Sequence, residues 1–258
     1  MGNLFDLTGK VAIVTGASSG LGADAAIAYA QHGVDVALLA RRKEKLDSVA
    51  EEITKMGKKA LSLQCDVSDE DSVKAAVDEV IKTYGKVDIL LNNAGVAVRG
   101  SVEDLTEADW NRSMDINVKG IYLMSKYVVP HMKAKQYGRI VNVASINAII
   151  ADKMPELARH SYNTSKAAVR GLTMGMAATY MQYNITVNSI GPGLFESEMT
   201  ENTLFKHEGF MKSYNMQNPA GRPGHRGELN GPILFFSSDA CSYVTSQHLI
   251  VDGGISVV

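Results

Sequence analysis

The stretch Lys10–Gly22 reads KVAIVTGASSGLG: an apolar run, then Gly16, Gly20 and Gly22, then a helical pattern from Leu21 to Gln31. A buried strand that runs into a glycine-rich turn and a helix makes a βα unit suited to a pyrophosphate. Glycines let the backbone turn tightly and approach the ligand, while the helix N-terminus supplies unpaired N–H groups and a positive dipole end. The spacing, Thr-Gly-x-x-x-Gly-x-Gly, is longer than the usual G-x-G-x-x-G. Gly16, Ser18, Ser19, Gly20, Leu21 and Gly22 are therefore candidate phosphate contacts, with an ordinary glycine-rich βα turn as the alternative.

The rest of the chain repeats the unit. Val34–Leu39, Val87–Leu91, Ile140–Val143 and Ile185–Ile190 are short apolar runs of the kind that form strands covered on both faces. Between them the period becomes helical, as in Leu46, Val49, Ile53 and Met56, and again in Val73, Ala76, Val77, Val80 and Ile81. Ser68 is placed to N-cap the second of these helices, and Gly33, Gly57 and Gly85 stand where helices should stop. Strand–helix alternation throughout predicts an α/β fold: one doubly wound domain over 1–258, with a parallel sheet and helices on both faces. Only 194–218 departs from it, as a small helical excursion.

Composition narrows the function classes. With 258 residues, 45% hydrophobic, the chain can bury a large core without covalent staples. A net charge of -2 argues against nucleic acid as the main partner. No run approaches the ~20 apolar residues that span a bilayer. Residues 1–10 lack the basic and apolar regions of a secretory leader, so a cytoplasmic protein is expected. Two cysteines, Cys65 and Cys241, make no disulfide framework. The six histidines show no ligand spacing, and no metal site is expected.

The second strand bears on which dinucleotide fits. An acidic residue at its end would bind a ribose 2′-hydroxyl, whereas arginine there accepts a 2′-phosphate. The strand ends in Ala40-Arg41-Arg42. NADP(H) is favoured over NAD(H), the alternative being a solvated basic helix start.

Tyr-x-x-x-Lys occurs twice, as Tyr122/Lys126 and Tyr162/Lys166. Only Tyr162 follows a strand end carrying a polar residue, Ser145, where strand C-termini line the ligand crevice of such sheets; Tyr122 reads as mid-helix and structural. Hydride exchange with a nicotinamide requires a proton to reach or leave the substrate oxygen. A free phenol, with a pKa of ~10, is a poor base. Lys166, on the same helix face, would lower it together with the positive nicotinamide ring, and Ser145 would hydrogen-bond the substrate oxygen.

Over essentially its whole length the chain resembles the short-chain dehydrogenase/reductase family. The matching residues are TGASSGLG (15–22), Asp66-Val67, NNAG (92–95), Asn117, Ser145, YNTSK (162–166), GPG (191–193) and VDGG (251–254). The resemblance implies a Rossmann-type fold with Tyr162 as general acid/base and Lys166 also binding the nicotinamide ribose. It further implies Ser145 orienting substrate and Asn117 supporting a water-linked proton relay. Asp66 and Val67 would flank the adenine, Asn93 and Ala94 its ribose, and Gly95 the cleft. Pro192 and Gly193 would contact the cofactor, and Ser197 stands where the family usually has a threonine facing the nicotinamide amide. The family also implies a homotetramer built through the helices of Asn117 and Tyr162 and a C-terminal strand.

The expected substrate is a small alcohol or ketone. NLFDLTGK, NPAGRPG and GLFESEMT are similar to gluconate 5-dehydrogenase-like members, which points to a sugar acid such as gluconate or 5-ketogluconate. A 3-oxoacyl thioester reductase, a hydroxysteroid dehydrogenase and a non-catalytic NADP(H)-binding regulator are the alternatives. Ser145 and Tyr162 are 17 positions apart, longer than the family's usual dozen, so the intervening residues should rim the substrate pocket. Asn147, Leu194 and Phe195 are substrate candidates beside Ser145 and Tyr162. Met199, Phe205, Phe210, Met211 and Met216 are candidates for an apolar lid, and His160 reads as an exposed loop residue.

Overall fold

The computed structural model describes residues 3–197, 200 and 204–258. Seven strands form one all-parallel sheet: β1 (Val11–Thr15), β2 (Asp35–Ala40), β3 (Ala60–Gln64), β4 (Ile89–Asn92), β5 (Gly138–Val143), β6 (Ile185–Pro192) and β7 (His248–Val251). Their order is β3-β2-β1-β4-β5-β6-β7, so the winding reverses between β1 and β4. At such a switch point two βα turns diverge and leave a crevice at the strand C-termini.

Strand alternation explains the two-sided cover. Ala12, Val14, Val36, Leu38, Ile89 and Leu91 face one cluster, which is closed by α1 (Gly20–Gln31), α2 (Lys43–Lys55) and α8 (Asn230–Ser237). Ile13, Ala37, Leu39 and Leu90 face the other, against α3 (Glu70–Tyr84), α5 (Gly120–Lys135) and α6 (His160–Tyr180). Successive side chains on a strand point to opposite faces, so a doubly covered strand must be apolar throughout.

The five strands read from apolar runs are present, with every end within two residues of the reading. No apolar run singled out β3 or β7, although the resemblance implied a C-terminal strand. Both lie at sheet edges, and every residue of β3 and β7 is at least partly exposed, so neither carries a continuous apolar signature. Ser68 is not the N-cap of α3. Asp69 takes that place and accepts from the Ser72 N–H at 2.7 Å, while the Ser68 hydroxyl donates to Asp66 at 2.6 Å. A carboxylate acceptor at the helix start gains from the dipole as well as the hydrogen bond. Gly33, Gly57 and Gly85 all follow helix ends with positive φ. No helix among the described residues is long and apolar enough to cross a membrane.

The 194–218 segment holds a 3₁₀ turn, Leu204–Lys206, and α7 (Glu208–Gln217). A buried polar chain ties α6 to the sheet beneath: Asn92 donates to Asn142 at 2.9 Å, Asn142 to Thr173 at 2.9 Å, and Thr173 to the Val169 carbonyl. In a low-dielectric interior such bonds fix register, because breaking one leaves its partner unsatisfied.

The first turn of α1 lies against the β4 turn. A Cβ on Gly22 would strike the Asn93 amide and sit 2.5 Å from the Gly16 carbonyl oxygen. Gly22→Ala should therefore lower stability by about 1–3 kcal/mol, measured by urea unfolding. An unchanged midpoint would show that the contact can relax without cost.

Candidate active site

The switch point opens into a cleft of about 1110 Å³. The glycine turn, the end of β2, Asp66 and Val67, the Asn93–Gly95 turn, Ser145, Tyr162, Lys166, Pro192–Phe195 and Ser197 all line it. Residues spread over most of the sequence thus meet at one place. Gly22 and Asn117 stand behind the wall, Gly22 packed under the Asn93 amide and Asn117 buried beneath Gly95.

Thr15, at the end of β1, is the clamp. Its hydroxyl accepts from the Asn93 N–H at 2.9 Å and the Ala94 N–H at 3.0 Å, and Asn93 Nδ2 donates back to the Thr15 carbonyl at 3.0 Å. Gly16 (φ +67) passes so close that its Cβ would lie 2.9 Å from the Ala94 Cα.

The cleft fits a dinucleotide. Ser19 N-caps α1 in extended conformation but makes no side-chain capping bond, so its hydroxyl does not consume the first-turn N–H donors. Instead Arg42 Nη2 donates to Ser18 Oγ at 3.1 Å and Ser19 Oγ at 2.6 Å, which sets a guanidinium beside the phosphate turn. Arg41 lines the cleft at the end of β2, where no acid stands. Asp66 accepts from the Ser68 N–H and hydroxyl, and the hydroxyl above all holds its carboxyl below the usual range. Ser197 packs over Gly20 and shares a 3.0 Å hydrogen bond with the Thr200 hydroxyl.

Asn117 lies in a π-helical turn, Asp115–Lys119, between α4 (Glu107–Met114) and α5. Its Oδ1 accepts from the Val96 N–H at 2.8 Å, and its Nδ2 donates to the Val96 carbonyl and the Ser165 hydroxyl, both at 2.9 Å. Ser165 in turn donates to the Tyr162 carbonyl at 2.8 Å. The Asn117 side chain thus joins the β4 loop to the first turns of α6 and does not hydrogen-bond Lys166.

Lys166 is buried, its Nζ donating to the Val143 carbonyl at 2.8 Å and lying 5.6 Å from the Tyr162 ring centre. Burial pulls its pKa down to about 8. Taken together, the protein's own groups do not lower the Tyr162 phenol; the lowering expected above also counts the positive charge of the nicotinamide ring. Burial raises the phenol, and the Ser145 hydroxyl and the Arg159 charge only partly oppose that. Desolvation disfavours whichever form is charged, so it pushes the two groups towards each other.

The Tyr122/Lys126 pair is surface structure. Tyr122 is half exposed, and Lys126 pairs with Glu70 at 2.5 Å. The other candidates divide. Asn147 donates its N–H to Ser145 Oγ at 3.1 Å and lines the cleft with Leu194. Phe195 reaches the cleft but is 5% exposed, packed into the core and over Gly224, so its ring is largely spent on packing. Of the lid candidates, Phe210 lines the cleft and Met216 is 78% exposed; Phe205 and Met211 lie outside the lining, and Met199 is outside the described residues. Leu204 and Tyr214 complete that wall, the latter with its ring centre 6.1 Å from that of Phe210. Helical spacing from Phe210 could have found Tyr214. His160 is exposed, as read, but opens α6 and accepts from the Val102 N–H at 2.9 Å.

Comparison with known proteins agrees with this architecture. Residues 10–207 match the family model described as short chain dehydrogenase. The chain is a short-chain dehydrogenase. It is 39% identical over 255 residues to the gluconate 5-dehydrogenase of Gluconobacter oxydans, covering 99% of this chain and 98% of that one. It is 38% identical over 254 residues to an NAD-dependent glycerol dehydrogenase of Listeria innocua, covering 98% and 96%. A crystal structure of a gluconate 5-dehydrogenase from Burkholderia cenocepacia in complex with NADP and tartrate superposes with a TM-score of 0.93 at 34% identity, over 99% of this chain and 98% of that one. Family membership makes this chain an NAD(P)-dependent oxidoreductase of alcohol/ketone pairs.

In this dehydrogenase the buried Lys166 amine burdens the fold. Its folded pKa, about 8, lies below the ordinary 10.5, so across that window the unfolded chain takes up a proton that the folded chain resists. Stability is greatest above the unfolded value and declines as pH falls towards 8. Lys166→Met should abolish turnover yet raise stability at pH 7 by about 1–3 kcal/mol in a denaturant titration, less the lost Val143 bond. A destabilised variant would show that the Val143 bond outweighs the desolvation.

Proposed function

We propose that this enzyme interconverts a secondary hydroxyl and a ketone on a sugar acid, with NADP(H) as hydride carrier and Tyr162 as the proton donor and acceptor. The observation that carries the reading is the joint placement of Ser145, Tyr162 and Lys166 in the cleft that the phosphate turn enters. Bound there, the nicotinamide supplies or accepts the hydride. The chain's own residues do the rest. Burial keeps the Tyr162 phenol protonated, as a proton donor to a developing alkoxide must be. Ser145 is held against the 3₁₀ turn Ile146–Ala148 and presents its hydroxyl to the same oxygen. Lys166, near its titration point, can stabilise the phenolate left behind and pass a proton towards it. Asn117 holds the two walls in register.

NADP(H) is supported by the Arg41-Arg42 pair and by the absence of an acid at the end of β2. The sugar-acid reading draws on the likeness to gluconate 5-dehydrogenases, one of them crystallised with tartrate, a hydroxylated dicarboxylate. We further propose a cytoplasmic homotetramer, as the family resemblance implies.

Tyr162→Phe should reduce kcat by at least about 10³-fold while NADPH still binds, monitored by its fluorescence. Retained turnover would refute Tyr162 as the proton-transfer group. Arg41→Asp should move the ratio of kcat/KM values for NADP and NAD towards NAD by about tenfold or more. An unchanged ratio would assign the selection to Arg42, already anchored to the serines of the turn.

A further inference from the structure

Arg159 stands outside the machinery described so far. It lies three residues before Tyr162, in the long segment after Ser145, and lines the same cleft. Its backbone is fixed from two sides: Arg159 bridges Gly100, the Gly100 N–H donates to the Ala158 carbonyl at 2.8 Å, and the His160 N–H donates to the Gly100 carbonyl at 3.1 Å. The loop after β4 thus sets where the Arg159 side chain starts.

That side chain is not spent on the fold. Among the described residues its buried Nε has no hydrogen-bond partner and no carboxylate pairs with the guanidinium. Arg139 shows the contrast. Equally cationic and 1% exposed, it donates to the carbonyls of Gly138, Asn184 and Ser238 and pairs with Asp239 at 3.0 Å. A partly desolvated guanidinium with unused donors is costly unless a ligand supplies acceptors. The planar fork matches a carboxylate, which it can bind through two parallel N–H···O bonds. Arg159 is also the N-cap residue of α6, the helix that carries Tyr162, and both residues line the cleft, so its charge bears on the phenol.

We propose that Arg159 is the carboxylate anchor of the substrate subsite, gripping the acid group of a hydroxy or keto acid while its carbinol carbon faces Tyr162. The proposal rests on the reading of Tyr162 as the proton-transfer group and makes the substrate's carboxylate the element that is recognised. Lys153, on the same segment, is exposed at the rim and Asp152 stands beside it, so the pair adds little net charge.

D-Gluconate and sorbitol differ at one carbon, a carboxylate in the first and a hydroxymethyl in the second. Titrating each into the full enzyme loaded with NADPH measures binding without turnover. The wild type should bind gluconate more tightly than sorbitol. Arg159→Met should weaken gluconate about 10- to 100-fold and leave sorbitol unchanged, with Arg159→Lys falling between. In turnover the gluconate KM should rise far more than kcat falls. Equal losses for both ligands, or gluconate binding indifferent to Arg159, would overturn the proposal. NADPH binding and melting temperature report on folding; if the methionine variant does not fold, the lysine variant carries the same comparison. The two readings fail differently. Arg159-dependent gluconate binding without oxidation would refute the sugar-acid substrate and keep the anchor. Gluconate oxidation with unaltered binding in Arg159→Met would do the reverse.

Discussion

The structure depends on how closely the turn after β1 approaches the turn after β4. Parallel strands that wind in opposite directions from a switch point leave a gap between their first loops, and this chain fills that gap with backbone. Thr15 takes two N–H groups from the β4 turn, Asn93 returns a bond to the Thr15 carbonyl, and Gly16 and Gly22 leave no room for a side chain. Gly95 continues the theme: its Cβ would lie 3.1 Å from Asn117 Oδ1 and 3.4 Å from Lys166 Nζ. A run of small residues thus connects the phosphate turn to the buried lysine. A displacement at one end would be felt at the other, because packed interiors resist gradual deformation.

On this frame the electrostatics follow from burial. Tyr162 and Lys166 share a desolvated pocket that disfavours phenolate and ammonium alike, so charge in the pair is conditional on what lies beside it. Such a pocket costs stability, which polar networks around it offset: Asn92–Asn142–Thr173 beneath α6, and Asn117–Ser165 at its start. Neither network touches the cleft. They hold the helix at the height and rotation that set the phenol facing Ser145.

The parts legible in the sequence are those governed by periodicity or by backbone necessity. Apolar runs marked the strands buried on both faces, and glycines marked the turns where backbone meets backbone. β3 and β7 stayed hidden because an edge strand with partly exposed residues has no continuous apolar run. The extent to which burial raises the Tyr162 phenol was not legible either, since the sequence places Lys166 on the right helix face but does not show its Nζ turned to the Val143 carbonyl. The cap at Asp69 was displaced by one residue because Ser68 has a better partner in Asp66, a contact within a loop that no helix pattern reveals. Arg159 was obscured for a related reason: its setting comes from a bridge to Gly100, 59 positions earlier.

That bridge has a counterpart, and together they indicate where specificity can reside. The segments 146–160 and 194–218, which break the strand–helix alternation, each carry an isolated parallel bridge, Gly100 to Arg159 and Phe195 to Gly224. Each bridge fixes the backbone on one side of the substrate half of the cleft while leaving the side chains between free to vary. Gly224 must lack a Cβ for Phe195 to pack over it, so the second bridge is closed by shape, and the first by the flanking hydrogen bonds of Ala158 and His160. A pocket built this way can change its ligand through Asn147, Ile150, Phe210 or Tyr214 without disturbing the phosphate turn or the Tyr162 helix. On the function proposed above, recognition and chemistry are carried by different parts of one chain, joined where α6 begins and where Asn147 donates to Ser145.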